Sequence, residues 1–150
     1  MKLLLFLWLA SCDSPQHHQF DFWLGEWDVQ VAGRVVARSR IERLEGGCII
    51  QENWMPFGAP EGKSWNFLNT TSGLWEQVWV TAQGGVLHVS GEWKDGAIGE
   101  QGISESTGGR VRHRHSFTPT ESGRVRQYCE ESSDEGRTWQ VVFDGLYLRR

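Results

Sequence analysis

The chain has 150 residues, which is the size of one domain and enough to enclose a hydrophobic core. Its formal net charge is −4, and its basic residues are scattered along the sequence. Because no block of Lys and Arg is present, the composition argues against a nucleic-acid partner. Nine Trp and 18 Gly stand out, since tryptophan supplies large buried areas and frequent glycine is typical of tight turns.

Residues 1–11 have the form of a secretory signal peptide, with one lysine followed by a short apolar run. The run is shorter than the roughly 20 apolar residues that a membrane-spanning helix needs. The sequence Leu-Ala-Ser-Cys at 9–12 then resembles the lipobox of bacterial lipoproteins, in which the peptide is cut before a cysteine that becomes acylated. This resemblance implies lipidation of Cys12, a short polar tether over residues 12–19, and a lipid-anchored protein on the periplasmic side of the bacterial cell envelope.

The stretch 20–29 has the sequence Phe-Asp-Phe-Trp-Leu-Gly-Glu-Trp-Asp-Val, with four aromatic residues in ten positions. Their spacing predicts one short helical turn near 20–25, which Gly25 ends. A strand is then expected to begin at Trp27. The rest of the chain is organised around this short helical plug and the strand that follows it.

After residue 29, glycine-containing turn signals recur at hairpin spacing, and the runs between them are rich in Val, Ile, Trp and Phe. Asp95-Gly96 is the strongest single hairpin signal. We predict ten strands, at 27–32, 34–43, 48–54, 63–69, 74–81, 86–93, 97–105, 110–118, 124–132 and 138–149. No connection is long enough for a crossover helix, so pairing should be antiparallel and sequential. Closure of such a meander removes its two edges, which predicts an all-β barrel over 20–150.

Several segments also carry a resemblance to a known family: 20–29, 47–54, 62–67, 123–127 and 143–147. Together they resemble a bacterial family of lipocalin-like (calycin) β-barrels that has no assigned function. In lipocalins the tryptophan of a Gly-x-Trp motif lies at the closed end, and an arginine of the final strand packs across its ring. The resemblance therefore implies that the guanidinium of Arg149 lies within about 6 Å of the Trp27 ring.

Polar side chains fall in the centres of apolar strands, and tryptophans accompany two of them by alternation. The set comprises Glu52, Asn66, Gln77, Arg114 and Gln127 together with Trp54, Trp75 and Trp79. If these faces point inward, they form an aromatic-walled pocket for a small, largely apolar molecule. Arg114 is then expected to meet an acidic group on that ligand. The alternatives are that these residues line the outer face, or that they form a polar network that merely fills a structural barrel.

Two further functions stay open at this stage. Glu52 beside Trp54 is a candidate general acid or base, but no nucleophile–base pair or repeated carboxylate spacing accompanies it, so the pattern favours binding over catalysis. His113 and His115 share one face of a strand, which is compatible with a haem site, a metal site or a solvated outer face. No Cys-x-x-Cys or His-x-x-x-His pattern is present, and we predict neither a metal nor another cofactor.

Two remaining patterns predict structure. Cys48 and Cys129 lie in predicted strands, and we interpret them as free buried thiols, with a disulfide between them as the alternative. The segment 132–139 matches the Asp-box, Ser-x-Asp-x-Gly-x-Thr-Trp. Its aspartate can accept hydrogen bonds from turn amides and its glycine permits a positive φ, so one copy predicts a structural hairpin.

Overall fold

A single antiparallel sheet of ten strands closes into a barrel. A computed structural model describes residues 12–150 of the protein, and the predicted signal peptide at 1–11 lies outside the described residues. The strands are β1 (Gly25–Val31), β2 (Arg34–Leu44), β3 (Ile49–Pro56), β4 (Gly62–Leu68), β5 (Trp75–Thr81), β6 (Val86–Lys94), β7 (Ala97–Ser106), β8 (Gly109–Pro119), β9 (Val125–Ser132) and β10 (Gln140–Arg149). Each strand pairs with its neighbours in sequence, and β1 pairs with β10. The predicted all-β barrel is confirmed.

Two-residue turns of the kind that suits twisted hairpins connect several strands. Asp95 and Gly96 have φ values of 52° and 81° and join β6 to β7, as their sequence predicts. Ala32 and Gly33 have φ values of 49° and 78° and join β1 to β2 in the same manner. Positive φ at both central positions sets the strand register without a longer loop.

One end of the barrel is filled by a closing layer of buried aromatic side chains. Its members are Phe20, Trp23, Trp27, Trp75, Phe117 and Tyr147, all at most 2% exposed. The ring centroids of Trp23 and Phe117 lie 4.8 Å apart, and those of Trp23 and Tyr147 lie 5.9 Å apart. A 3-10 turn, Asp21–Trp23, carries Trp23 into this layer, as the aromatic spacing predicts. The short helical segment therefore acts as a plug.

The two ends of the chain meet at this closed end. Trp27 of β1 pairs with Arg149 of β10, whose guanidinium lies 4.4 Å from the Trp27 ring centroid. Arg149 Nη1 also donates to the carbonyl of Leu24 at 3.1 Å. A Cβ at Gly25 would lie 2.7 Å from Arg149 Nη1, and the φ of 133° there favours glycine. The predicted contact between arginine and tryptophan is confirmed.

The segment predicted as a free tether packs against the closed end. Pro15–His18 forms a 3-10 turn. The side chain of Gln16 donates to the carbonyl of Gly73 at 3.0 Å, and the indole of Trp75 donates to Gln19 Oε1 at 3.1 Å. Among residues 12–150, no helix is both long and apolar enough to cross a membrane.

The cysteines pair differently from our interpretation. Cys12 and Cys48 form a disulfide with their Cα atoms 4.9 Å apart, so the prediction of a free thiol at Cys48 is wrong. Cys129 is a free buried thiol, as predicted, and the alternative bond between Cys48 and Cys129 does not form. A sulfur joined to Cys48 cannot also carry a thioether-linked lipid, so the disulfide and the predicted acylation are mutually exclusive states of Cys12.

The Asp-box forms the predicted structural hairpin between β9 and β10. Asp134 Oδ1 accepts hydrogen bonds from Ser132 Oγ at 2.7 Å and from the Thr138 amide at 2.9 Å. Gly136 has a φ of 90°, and its carbonyl accepts a hydrogen bond from the Trp139 indole at 3.1 Å. These contacts are local to the turn and reach no cavity inside the barrel.

Candidate ligand-binding cavity

A cavity of about 250 Å³ lies inside the barrel, on the side of Tyr147 away from the plug. Strands β3, β5, β6, β8, β9 and β10 contribute its walls. The predicted residues that the structure brings to it are Glu52, Trp54, Gln77, Trp79 and Gln127. Lining residues that sequence reasoning missed are Leu87, His115, Cys129, Val142, Phe143 and Tyr147.

Aromatic rings form the part of the wall farthest from the plug. Trp54, near the end of β3, meets Phe143, near the start of β10, with centroids 5.8 Å apart and planes at 80°. Trp79 lies near the end of β5 and covers Gly62 of β4. A Cβ at Gly62 would lie 2.3 Å from the Trp79 ring, so glycine is required for the indole to occupy this position.

Glu52 is the acidic group of the cavity, and it is 4% exposed. Its Oε1 accepts hydrogen bonds from Ser39 Oγ at 2.8 Å and Tyr147 Oη at 3.1 Å, and its Oε2 accepts from Ser64 Oγ at 3.2 Å. Burial raises the pKa of Glu52 to about 7, although these three hydrogen bonds act to lower it. The carboxyl group is therefore poised to change protonation near neutral pH.

A hydrogen-bonded network extends from Glu52 to both sides. Tyr147 Oη lies 2.7 Å from Gln127 Oε1 as well as close to Glu52. A phenol has one proton and cannot donate to two acceptors at once. In the acid form of Glu52 the direction reverses, so that Glu52 donates to Tyr147 and Tyr147 donates to Gln127, which satisfies all three groups.

On the other side of Glu52, Ser64 accepts a hydrogen bond from Asn66 Nδ2 at 3.0 Å, and Asn66 Oδ1 accepts one from Gln77 Nε2 at 2.7 Å. Asn66 is fully buried and lies behind the wall rather than in it. The polar groups that reach the cavity from this network are thus Glu52, Gln77, Gln127 and Tyr147. They form a polar floor beneath the aromatic walls.

A second buried carboxyl group lies beside the cavity. Glu100 of β7 is 1% exposed and pairs across the strands with His115 of β8, which pairs with Cys129 of β9. Neither carboxyl oxygen of Glu100 has a hydrogen-bond partner among residues 12–150, and the same holds for His115 Nδ1. On its other side Glu100 faces Gly91 of β6, which has no side chain.

Burial shifts the pKa of every titratable group in this row. It raises the pKa of Glu100 to about 8 and that of Cys129 to about 12. Burial also lowers the pKa of His115 to about 4, and the charge of nearby His113 adds to that effect. At neutral pH the row therefore contains a thiol, a neutral imidazole and a carboxyl group held mostly in its acid form.

Besides Asn66, two predicted ligand contacts lie outside the cavity wall. Arg114 is on the outer face, where its guanidinium lies 4.1 Å from the Trp139 ring centroid and its Nε donates to Glu130 Oε2 at 2.5 Å. Its side chain cannot reach a molecule in the cavity, so the expected contact with an acidic ligand has no basis in this geometry. Trp75 belongs to the closing layer and not to the cavity wall.

The two histidines of β8 point inward, which corrects the expectation of a solvated outer face. His115 lines the cavity, and His113 is 7% exposed. The ring of His113 contacts Ser104 Oγ at 2.7 Å and Glu131 Oε1 at 3.3 Å. Within residues 12–150, no cluster of three or more His, Cys, Asp or Glu side chains is arranged to hold a metal ion.

Comparison of the chain with protein-family models finds no match, and comparison with curated proteins finds none. The resemblance to a lipocalin-like bacterial family therefore stays a prediction from the segments that carry it. The functional proposal therefore rests on the fold and the cavity.

Proposed function

We propose that this protein binds a small, largely apolar molecule inside its barrel. The observation that carries the proposal is the cavity itself, with rings of Trp54, Trp79 and Phe143 above polar groups from Glu52 and Gln127. Apolar walls with a few converging polar groups are typical of small-molecule sites. At about 250 Å³ the cavity lies below the usual range of about 300–1,000 Å³ for drug-sized ligands. The ligand is accordingly small, and a haem does not fit.

A cavity-filling variant tests this proposal. Leu87 lines the cavity, whereas its neighbour Val86 is 62% exposed on the outside of the same strand. Leu87→Trp should abolish the saturable binding of small aromatic probes in calorimetry, because the indole occupies their space. Val86→Trp is the matched control and should bind them as the wild type does. If no probe binds the wild type, or if Leu87→Trp binds them equally well, the barrel is a filled structural module.

Acid–base catalysis in the same cavity is a second candidate function, favoured by one observation. The pKa of Glu52 is raised to about 7 by burial, and a general base works best when its pKa lies near the ambient pH. Small aryl ketones incubated in deuterium oxide would report proton abstraction by the loss of their α-proton NMR signals. Exchange that the wild type accelerates and Glu52→Gln does not would establish catalysis. Equal exchange in both proteins would exclude this reaction.

We also propose that the protein is exported and faces an oxidising compartment of the cell envelope. The lipobox-like sequence at 9–12 supports export, and a disulfide such as Cys12–Cys48 is typical of proteins outside the cytosol. The intact mass of the mature protein, purified with its membranes, distinguishes the two states of Cys12. A mass increase from acyl chains supports the lipid anchor, and a mass with the disulfide and no lipid excludes it. Unprocessed chains in the cytosol would overturn export as well.

A further inference from the structure

The charges around the cavity are all of one sign. Among the described residues that line it, Glu52 is acidic and none is Lys or Arg. Two arginines, Arg43 and Arg149, lie at the closed end of the barrel. There Arg43 pairs with Asp21, and Arg149 covers Trp27. No cation of the described chain therefore compensates a carboxylate in the cavity.

Glu100 is a buried side chain, 1% exposed, whose carboxyl group has no hydrogen-bond partner in the described part of the chain. An unsatisfied buried polar group destabilises a fold, and a buried charge does so more strongly unless it is paired. An unpaired buried group in a native structure calls for an explanation, and a bound ion is one such explanation. Glu100 is the cross-strand neighbour of His115, which lines the cavity and whose Nδ1 also has no hydrogen-bond partner among the described residues.

We propose that the ligand is a small organic cation, a protonated amine on an apolar body. Its ammonium group lies between Glu52 and His115, and its positive charge stabilises the carboxylate forms of Glu52 and of Glu100, the cross-strand neighbour of His115. The rings of Trp54 and Trp79 line the same cavity and add cation–π attraction. This proposal deepens the proposed function and rests on it. It replaces the acidic ligand that the position of Arg114 in the sequence suggested.

The ligand series that tests the charge shares one body and differs in its polar group: phenethylamine, phenethyl alcohol and hydrocinnamate. By calorimetry at neutral pH, we expect the amine to bind the full disulfide-bonded protein at least about tenfold more tightly than the alcohol. The carboxylate should bind most weakly, because Glu52 is acidic and none of the described residues that line the cavity is Lys or Arg. If the alcohol or the carboxylate binds as tightly as the amine, the proposal of a cationic ligand is wrong, and the proposed binding of a small apolar molecule stands. If none of the three binds, both proposals are wrong.

Charge-removing variants test the two carboxyl groups. Glu52→Gln and Glu100→Gln should each weaken amine binding by about tenfold or more and leave alcohol binding within a factor of about two. Glu105→Gln is the matched control, because Glu105 lies on the same strand as Glu100 but its side chain is 78% exposed. It removes the same charge and should leave both affinities unchanged. Equal losses for amine and alcohol in Glu100→Gln, or an equal loss of amine in Glu105→Gln, would overturn the proposal. If Glu52→Gln does not fold, the proposal of a cationic ligand is tested by Glu100→Gln and by the three ligands.

Discussion

At the scale of single residues, the titration of Glu100 sets a dependence of stability on pH. Its pKa is about 8 in the folded barrel, where burial disfavours the charged form, against an unperturbed 4.5. Between those two values the folded state binds more protons than the unfolded state, so the free energy of unfolding falls as pH rises. Above the pKa that Glu100 has in the folded barrel, the free energy of unfolding falls no further. The total loss is on the order of a few kcal/mol.

Glu100→Gln isolates this effect, because an amide keeps the shape of the carboxyl group and carries no charge. Denaturant unfolding at a series of pH values should show the wild type losing stability between pH 4.5 and about 8. The variant should lose less over the same interval and be more stable than the wild type at alkaline pH. Glu52 contributes a loss of the same sign in both proteins, over the narrower interval from pH 4.5 to about 7. Parallel curves for the two proteins would show that Glu100 is not the group responsible.

Individual cavity residues were predictable where an apolar residue two positions away showed which face of the strand points into the barrel. Alternation with Trp54 and Trp79 predicts correctly that Glu52 and Gln77 point inward. On β8 the pattern Arg-His-Arg-His contains two polar sets, and alternation alone does not say which set is buried. Phe117 continues the face of His115 and is fully buried, and this signal would have placed the histidines inside and Arg114 outside.

At the scale of elements, the turn between β1 and β2 stores avoidable strain. Ala32 adopts a φ of 49°, in the left-handed region that L-residues other than Asn, Asp and Gly rarely occupy. Asn-Gly is the preferred sequence for this turn. Ala32→Asn should therefore raise the free energy of unfolding by about 0.5–1 kcal/mol in denaturant titrations. Gly33→Ala, at a φ of 78°, is the opposite control and should lower it. A neutral or destabilising Ala32→Asn would show that the turn relaxes.

The Asp-box hairpin predicts a separate dependence on acid. Hydrogen bonds from the amide and hydroxyl of Thr138, and from Ser132, lower the pKa of Asp134 to about 2 from its usual 3.8. Since the folded pKa is lowered, its stabilising effect is present above pH 3.8 and is lost as pH falls through about 2. Asp134→Ala should lower the melting temperature at neutral pH, and the difference should vanish in strong acid. Ligand affinity should not change, and a change would mean that the hairpin reaches the cavity.

The elements themselves were largely predictable because their signals are local. Turn residues and alternation act over a few positions, and all ten predicted strands are present, with ends that differ by at most two residues. The segment 12–19 was not predictable in the same way. Its polar composition is that of a tether, but its partners lie far along the chain, with Gly73 hydrogen-bonded to Gln16 and Cys48 bonded to Cys12. Contacts of that range leave no periodic pattern in the segment.

At the scale of the whole molecule, closure of the barrel depends on the pairing of β1 with β10. Trp27 on β1 is fully buried, contacts Tyr147 with centroids 6.1 Å apart, and donates from its indole to the Trp23 carbonyl at 2.9 Å. The hydroxyl of Tyr147 in turn lies 3.1 Å from Glu52 Oε1. The plug, the seam between first and last strands and the cavity floor therefore form one connected structure.

Truncation at the centre of that structure should be costly. Trp27→Ala should lower the free energy of unfolding by about 3–5 kcal/mol, because it removes a large buried side chain and leaves a cavity. Trp93→Ala is the control, since Trp93 is 36% exposed, and its loss should be much smaller. Arg149→Met keeps most of the aliphatic cover but removes the cation over the indole and the hydrogen bond to Leu24. It should lower stability by about 0.5–2 kcal/mol.

Because the seam connects to Tyr147, the same variants should also affect the cavity. Trp27→Ala should weaken the binding of small probes even at temperatures where the protein stays folded, since Tyr147 loses the ring that holds it beside Glu52. Arg149→Met leaves the Trp27 ring in place and should change stability without changing affinity. Denaturant unfolding and calorimetry on the three variants, Trp93→Ala included, separate these effects. A tolerated Trp27→Ala, or equal losses in Trp27→Ala and Arg149→Met, would show that the barrel closes through its backbone pairing alone and that the plug does not support the cavity.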